Sequence, residues 1–163
     1  MRKFKALVVA AVCSSFFSMA SLADEFGTRE EAISLLDRAI KLVKVDRNRA
    51  LDLFQSGTGG LIHKDLYVFC FAPDGTVIAH PNILGMDTFE GGFVDIHGTN
   101  LGEALFAAAK PGKIGEAHYD YERPTTGSTK MFRKTALMTR VSGIVCGVGY
   151  YNCLLYTSAA ADE

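Results

Sequence analysis

Asp65-Leu66-Tyr67-Val68-Phe69-Cys70-Phe71-Ala72-Pro73-Asp74-Gly75-Thr76-Val77-Ile78-Ala79-His80-Pro81 decides how the rest of this chain is read. The first half is rich in aromatic and branched residues, which fit a pleated surface. Pro73-Asp74-Gly75 is turn chemistry, and Thr76 to Ala79 resumes the extended pattern, so residues 66–79 read as a β-hairpin. Pro81 ends the second strand, because proline has no N–H to give to a ladder.

Working outward toward the N-terminus, Thr28 and Glu31 form a capping box ahead of an amphipathic run. Ala32, Leu35, Leu36, Ala39, Ile40, Leu42 and Val43 recur near a 3.6-residue period, with Arg38, Lys41 and Lys44 opposite. Asp46 caps a second short helix through Phe54, which ends at Ser56-Gly57. In the other direction, glycines are scattered through an irregular stretch to Asn100. A short helix follows, closed by Pro111-Gly112. Three extended segments come last, at residues 115–122, 132–141 and 144–151, with turns at residues 124–127 and at Ser142-Gly143. The expected fold is therefore α+β: five antiparallel strands with the long helix across one face.

The chain has 163 residues, 48% of them apolar and 21% charged, an ordinary composition for one globular domain. Its formal charge of -1 provides no basic footprint for nucleic acid. Arg2, Lys3 and Lys5, an apolar run from Ala6 to about Phe17, and Ser21-Leu22-Ala23 follow the order of a secretory signal peptide. Residues 1–23 are read as that leader, and losing its three basic residues leaves 14 against 18 acidic ones, a net charge of -4. The expectation is a periplasmic or secreted product with no membrane anchor after cleavage. Residues 24–151 are the domain and 152–163 an unstructured tail. One frame of a sequencing-library transposon end encodes its Cys-Leu-Leu-Tyr-Thr-Ser, so an assembly artefact is the alternative reading of the tail.

Strand alternation sorts the side chains by face. Tyr67, Phe69 and Phe71 share one side, and Leu66, Val68 and Cys70 the other; in the last strand Val145, Gly147 and Gly149 oppose Ile144, Cys146 and Val148. Two glycines on one face predict a hollow, which beside aromatic rings has the shape of a small-ligand pocket. Lys134 and Arg140 share parity, as do Tyr119 and Tyr121, and His80 stands where a side chain can turn over the sheet. A carboxylate suits Lys134, or a tyrosine hydroxyl with His80. Each has a plainer alternative: solvated strand cations, a histidine that caps its own turn, and tyrosines that pack the core. His63, His80, His97 and His118 are dispersed without metal-ligand spacing, no G-x-S-x-G elbow is present, and Asp120 and Glu122 read as solvated. No enzyme, cofactor or metal is expected, and a small hydrolase is the weakest alternative.

The hairpin, together with Lys134-Thr135-Ala136, Arg140-Val141 and Gly147-Val148-Gly149-Tyr150, resembles the single Cache domain family over residues 28–151. The resemblance implies an extracytoplasmic, PAS-like sensor sheet that binds small molecules, often short organic acids, on the face opposite the long helix. Tyr67, Phe69, His80, Tyr119, Tyr121 and Lys134 are then the expected ligand contacts. A membrane-bound receptor, kinase or transporter is the expected partner, since the sequence carries no signalling module. The competing reading is a structural or interaction module whose pocket is filled by its own side chains. Met86 stands where the family pattern calls for a lysine. The resembled fold makes the first and last strands neighbours, so Cys70 and Cys146 are either a disulfide or two buried thiols.

Overall fold

The computed structural model describes residues 26–90, 92–123 and 127–152. The leader expected at 1–23 and all but the first residue of the tail expected at 152–163 lie outside the described residues, as does most of the turn expected at 124–127. Three helices and seven strands follow in chain order: α1 (Arg29–Val45), α2 (Arg47–Ser56), β1 (Ile62–His63), β2 (Leu66–Phe71), β3 (Val77–Ala79), α3 (Leu101–Ala108), β4 (Lys110–Pro111), β5 (Gly115–Arg123), β6 (Ser128–Val141) and β7 (Ile144–Tyr151).

The helices begin and end where local chemistry places them. At α1 the Thr28 side chain accepts from Glu31 N–H, and the Glu31 carboxylate accepts from Thr28 N–H at 2.8 Å. Asp46 caps α2 by accepting from Arg49 N–H, and Gly57 ends it in the left-handed region at φ 69°, a conformation that costs glycine nothing. Ala32, Leu35, Leu36, Ala39 and Val43 form the buried stripe of α1.

The five long strands run antiparallel in the order β3-β2-β7-β6-β5, with the 66–79 hairpin at one side. Expectation and structure differ in strand number and in sense. β1 adds two residues to β2 at Leu66 and Tyr67, and β4 pairs with β6 at Thr139 and Arg140 in parallel, so the sheet has seven strands and is mixed. The β4 pairing also moves the end of α3, expected at Pro111-Gly112, back to Ala108. Arg140 Nε donates to Ala109 O at 3.1 Å and Thr139 Oγ1 to Lys110 O at 3.2 Å, which draws the chain off the helix and onto β6. β6 begins at Ser128, four residues ahead of the expected start, because its pairing with β5 runs from Met138 back to Ser128.

Two cores lie on opposite faces. Under α1 and α2, Leu66, Val68, Cys70, Leu137, Ile144, Cys146 and Val148 join the helix stripe. On the other face Tyr67, Phe69, Phe71, Leu101, Leu105, Tyr119, Ala136 and Met138 pack together. Cys70 and Cys146 stand opposite one another across β2 and β7, Cα atoms 4.1 Å apart, and form a disulfide on the helix side. A buried ion pair secures the chain's entry into α1: Asp65 Oδ1 accepts from Gly27 N–H at 2.7 Å while Oδ2 lies 3.7 Å from Arg123 Nε. The Arg123 guanidinium stacks between the rings of Phe26 and Phe132.

Candidate ligand pocket

The side chains opposite α1 and α2 come from β2, β5 and β6, from α3 and from the loop after β3. β2 contributes Tyr67, Phe69 and Phe71, β5 contributes Tyr119 and Tyr121, and His80, Ile83, Phe93 and Leu105 complete the wall around a small cavity. Lys134 approaches from β6, whose register sets it between Tyr119 of β5 and Tyr151 of β7.

The glycines of β7 do not leave the open hollow expected from alternation. A Cβ on Gly149 would overlap Lys134 Cε, and one on Gly147 would overlap Met138 Sδ and lie 2.9 Å from Phe69 Cζ. The space is real, but the protein's own side chains lie in it. What remains is a cavity of about 10 Å³, room for one water molecule. Wider grooves exist at the surface, one of about 430 Å³ beside Asp37, Lys44, Lys113 and Arg140, but these four side chains are all exposed. Enclosure by aromatic walls makes the small cavity the stronger site.

Lys134 is 1% exposed. Its Nζ donates to Tyr67 Oη at 2.8 Å and lies over the rings of Tyr67, Tyr151 and Tyr121 at 4.5, 4.9 and 5.2 Å. No carboxylate among the described residues pairs with it directly. Burial therefore dominates and brings its pKa down to about 7, against a smaller opposing pull from Asp65. An ammonium has three donors, and the one hydrogen bond here satisfies one of them.

The other polar groups are donors as well. His80 is buried, with its ring 5.0 Å from Tyr67; its Nδ1 accepts from Asn82 N–H at 3.0 Å, which places the proton on Nε2. Burial first, and Lys134 second, push its pKa down to about 3, so the imidazole is neutral. Burial raises the tyrosines: Tyr67 and Tyr119 sit well above the usual phenol value, and Tyr121 is also raised. Their hydroxyls stay protonated at neutral pH. Among the described residues, neither the Tyr119 and Tyr121 hydroxyls nor His80 Nε2 has a protein hydrogen-bond partner. The Tyr151 hydroxyl, by contrast, donates to Glu122 O. The cavity lining thus offers several donors, with the Lys134 amine behind Tyr67, and no carboxylate among the described lining residues.

Five of the six residues expected as contacts, Tyr67, Phe69, His80, Tyr119 and Tyr121, line this cavity, and Lys134 lies behind that wall, against Tyr67 and Tyr121. His80 caps its own turn by accepting from Asn82 N–H, the plainer of its two readings, while its ring lines the cavity. Arg140, of equal strand parity with Lys134, does not join them. It lies six residues along β6, exposed, holding the carbonyls of Ala109 and Phe106. Ile83 and Phe93 were not anticipated; apolar residues interrupting a glycine-rich polar stretch were the available signal. Met86 packs against the same core, where the family pattern has its lysine. No group of three or more His, Cys, Asp or Glu side chains that could hold a metal forms among the described residues.

No protein-family model matches this chain, and no curated protein does either. Solved structures do. A methyl-accepting chemotaxis protein from Vibrio parahaemolyticus RIMD 2210633 superposes with a TM-score of 0.60 at 17% identity, covering 75% of this chain and 86% of that one. The periplasmic sensor domain of a chemotaxis protein gives 0.52 at 21%, covering 76% and 89%. A Cache chemosensory domain, described for its carboxylic acid recognition, gives 0.52 at 17%, covering 76% and 87%. This chain has the PAS-like Cache fold. In this Cache fold the long helix and the aromatic cavity occupy opposite faces of the sheet, as the resemblance in the hairpin implied.

Proposed function

We propose that this protein is an extracytoplasmic small-molecule sensing domain whose ligand is a short organic acid, held over Tyr67 and Phe69 with Lys134 as its charge partner. The observation that carries this reading is the buried Lys134 ammonium, which has a hydroxyl and three rings around it and no paired anion. A buried cation is stabilised by a hydrogen-bonded counter-charge, and a carboxylate also satisfies the idle donors of Tyr119, Tyr121 and His80. The carboxylic acid named for one structural neighbour is of the same class. The acid enters by displacing side chains, because the cavity as it stands admits about one water.

A leader at residues 1–23 would deliver the domain to the periplasm or beyond. There it would present its occupied state to a membrane-bound receptor, kinase or transporter. The role is capture and presentation, not turnover.

The closed cavity also favours a second reading, a structural or interaction module filled by its own side chains. Melting with a panel from acetate to pyruvate separates the two. A ligand at one hundred times its Kd adds about 2.7 kcal/mol to the folded state, a rise of roughly 10 °C for a domain of this size. Lys134→Ala should abolish that rise. A wild type that no acid stabilises leaves the second reading standing.

A further inference from the structure

The amine of Lys134 is enclosed in a way that suits more than charge pairing. Its Nζ lies under three tyrosine rings, 2.8 Å from one hydroxyl, with no paired carboxylate among the described residues to keep it an ammonium. We propose that Lys134 forms a reversible imine with the carbonyl of a short 2-oxo acid, making this pocket a covalent site that distinguishes 2-oxo acids from simple carboxylates. The proposal rests on the acid-binding reading above and narrows its ligand class.

In that step the Nζ lone pair adds to the carbonyl carbon, forming the C–N bond while the carbonyl π pair moves to oxygen. One proton passes from nitrogen to that oxygen, with the Tyr67 hydroxyl in position to relay it. The carbinolamine then expels its hydroxyl together with the remaining N–H proton as water, leaving C=N. One amine and one carbonyl give one imine and one water, with no oxidant or reductant. The donors left idle in the structure, Tyr119, Tyr121 and His80 Nε2, are available to the carboxylate of the same molecule. Burial supports the chemistry by bringing the amine to about 7, so that a large share carries a free lone pair at neutral pH.

The test uses the wild-type protein with pyruvate and sodium cyanoborohydride, which reduces an imine to a stable N-carboxyethyl lysine, followed by peptide mapping. Lys134 should label about tenfold faster than any surface lysine, whose ordinary pKa of ~10.4 keeps the lone pair protonated. The rate should saturate with pyruvate and fall when acetate competes. Lys134→Arg should lose that one modification and keep the slow surface labelling. Pyruvate that raises the melting midpoint while Lys134 labels no faster than surface lysines overturns the imine and leaves acid binding intact. Pyruvate and acetate that neither label Lys134 nor shift the midpoint overturn both.

Discussion

The face of the sheet under α1 and α2 is closed by aliphatic side chains and the Cys70–Cys146 disulfide, whereas the opposite face buries tyrosine hydroxyls, an imidazole and an ammonium. Both faces are densely packed, so burial alone does not tell them apart. What differs is whether the buried groups have partners. Leu36 and Val68 need nothing beyond contact, while Lys134 is held by one hydroxyl and Tyr119 by none among the described residues. A fold keeps such unsatisfied groups where function requires them and secures its stability elsewhere. In this domain the division runs through the plane of a single sheet.

The largest expected effect tests the helix face. Replacing Cys70 and Cys146 together by alanine removes a crosslink spanning 76 residues and should lower stability by about 4 kcal/mol, read from urea midpoints under non-reducing conditions. Free thiols at Cys70 and Cys146 in the denatured, unreduced wild type, located by alkylation and peptide mapping, would remove the basis for this expectation. Next, Leu36→Ala, at a side chain with no exposure, should cost about 3 kcal/mol in the same assay, with acid-induced melting shifts unchanged. If ligand response vanished as well, the two faces would not be independent.

The pocket face should respond with the opposite sign. Lys134→Met keeps the length, removes the buried charge and should raise the stability of the unliganded protein by about 2 kcal/mol at pH 7 while abolishing any response to acids. The pH dependence sharpens this. Folding lowers the lysine from its ordinary 10.5 to about 7, so between those values the unfolded chain holds the proton that the folded chain has released. Unliganded wild-type stability therefore rises with pH through that window, and the Lys134→Met variant should lose this contribution to the slope.

The smallest effect belongs to His80. Its pKa falls from 6.5 to about 3 on folding, so its neutral form is favoured and stability is lost as pH drops below 6.5. His80→Asn offers an oxygen to Asn82 N–H and should recover about 1 kcal/mol at pH 5 relative to its effect at pH 8. Equal effects at both pH values would show that the imidazole is not the buried titrating group on this face.

Much of this arrangement was legible in residue order. The capping residues Thr28 and Asp46, the Pro73-Asp74-Gly75 turn and the alternation of residues 66–71 depend on neighbours a few positions away, and the structure has these elements. The two short strands were not legible. Ile62–His63 and Lys110–Pro111 have no strand pattern of their own and are extended because β2 and β6 offer free edges there. Lys134 and Arg140 carry the same parity and similar charge in sequence. They diverge because one end of β6 lies among the tyrosines of β5 and β7, while the other meets the exposed carbonyls after α3.

By itself, then, the amino-acid sequence determined which side chains share a face, because a strand's period of two is a property of the backbone. It determined the number of helices and of the strands in the main antiparallel order, and five of the residues it singled out line the cavity. Only the tertiary structure decided whether that cavity is open. Gly147 and Gly149 make room whatever surrounds them, but the room is filled by Met138 and Lys134 from the adjacent strand. Such filling depends on cross-strand register and on the rotamer of a long side chain, neither of which is written in the order of residues along one strand. The same register leaves the Lys134 amine without a paired carboxylate among the described residues.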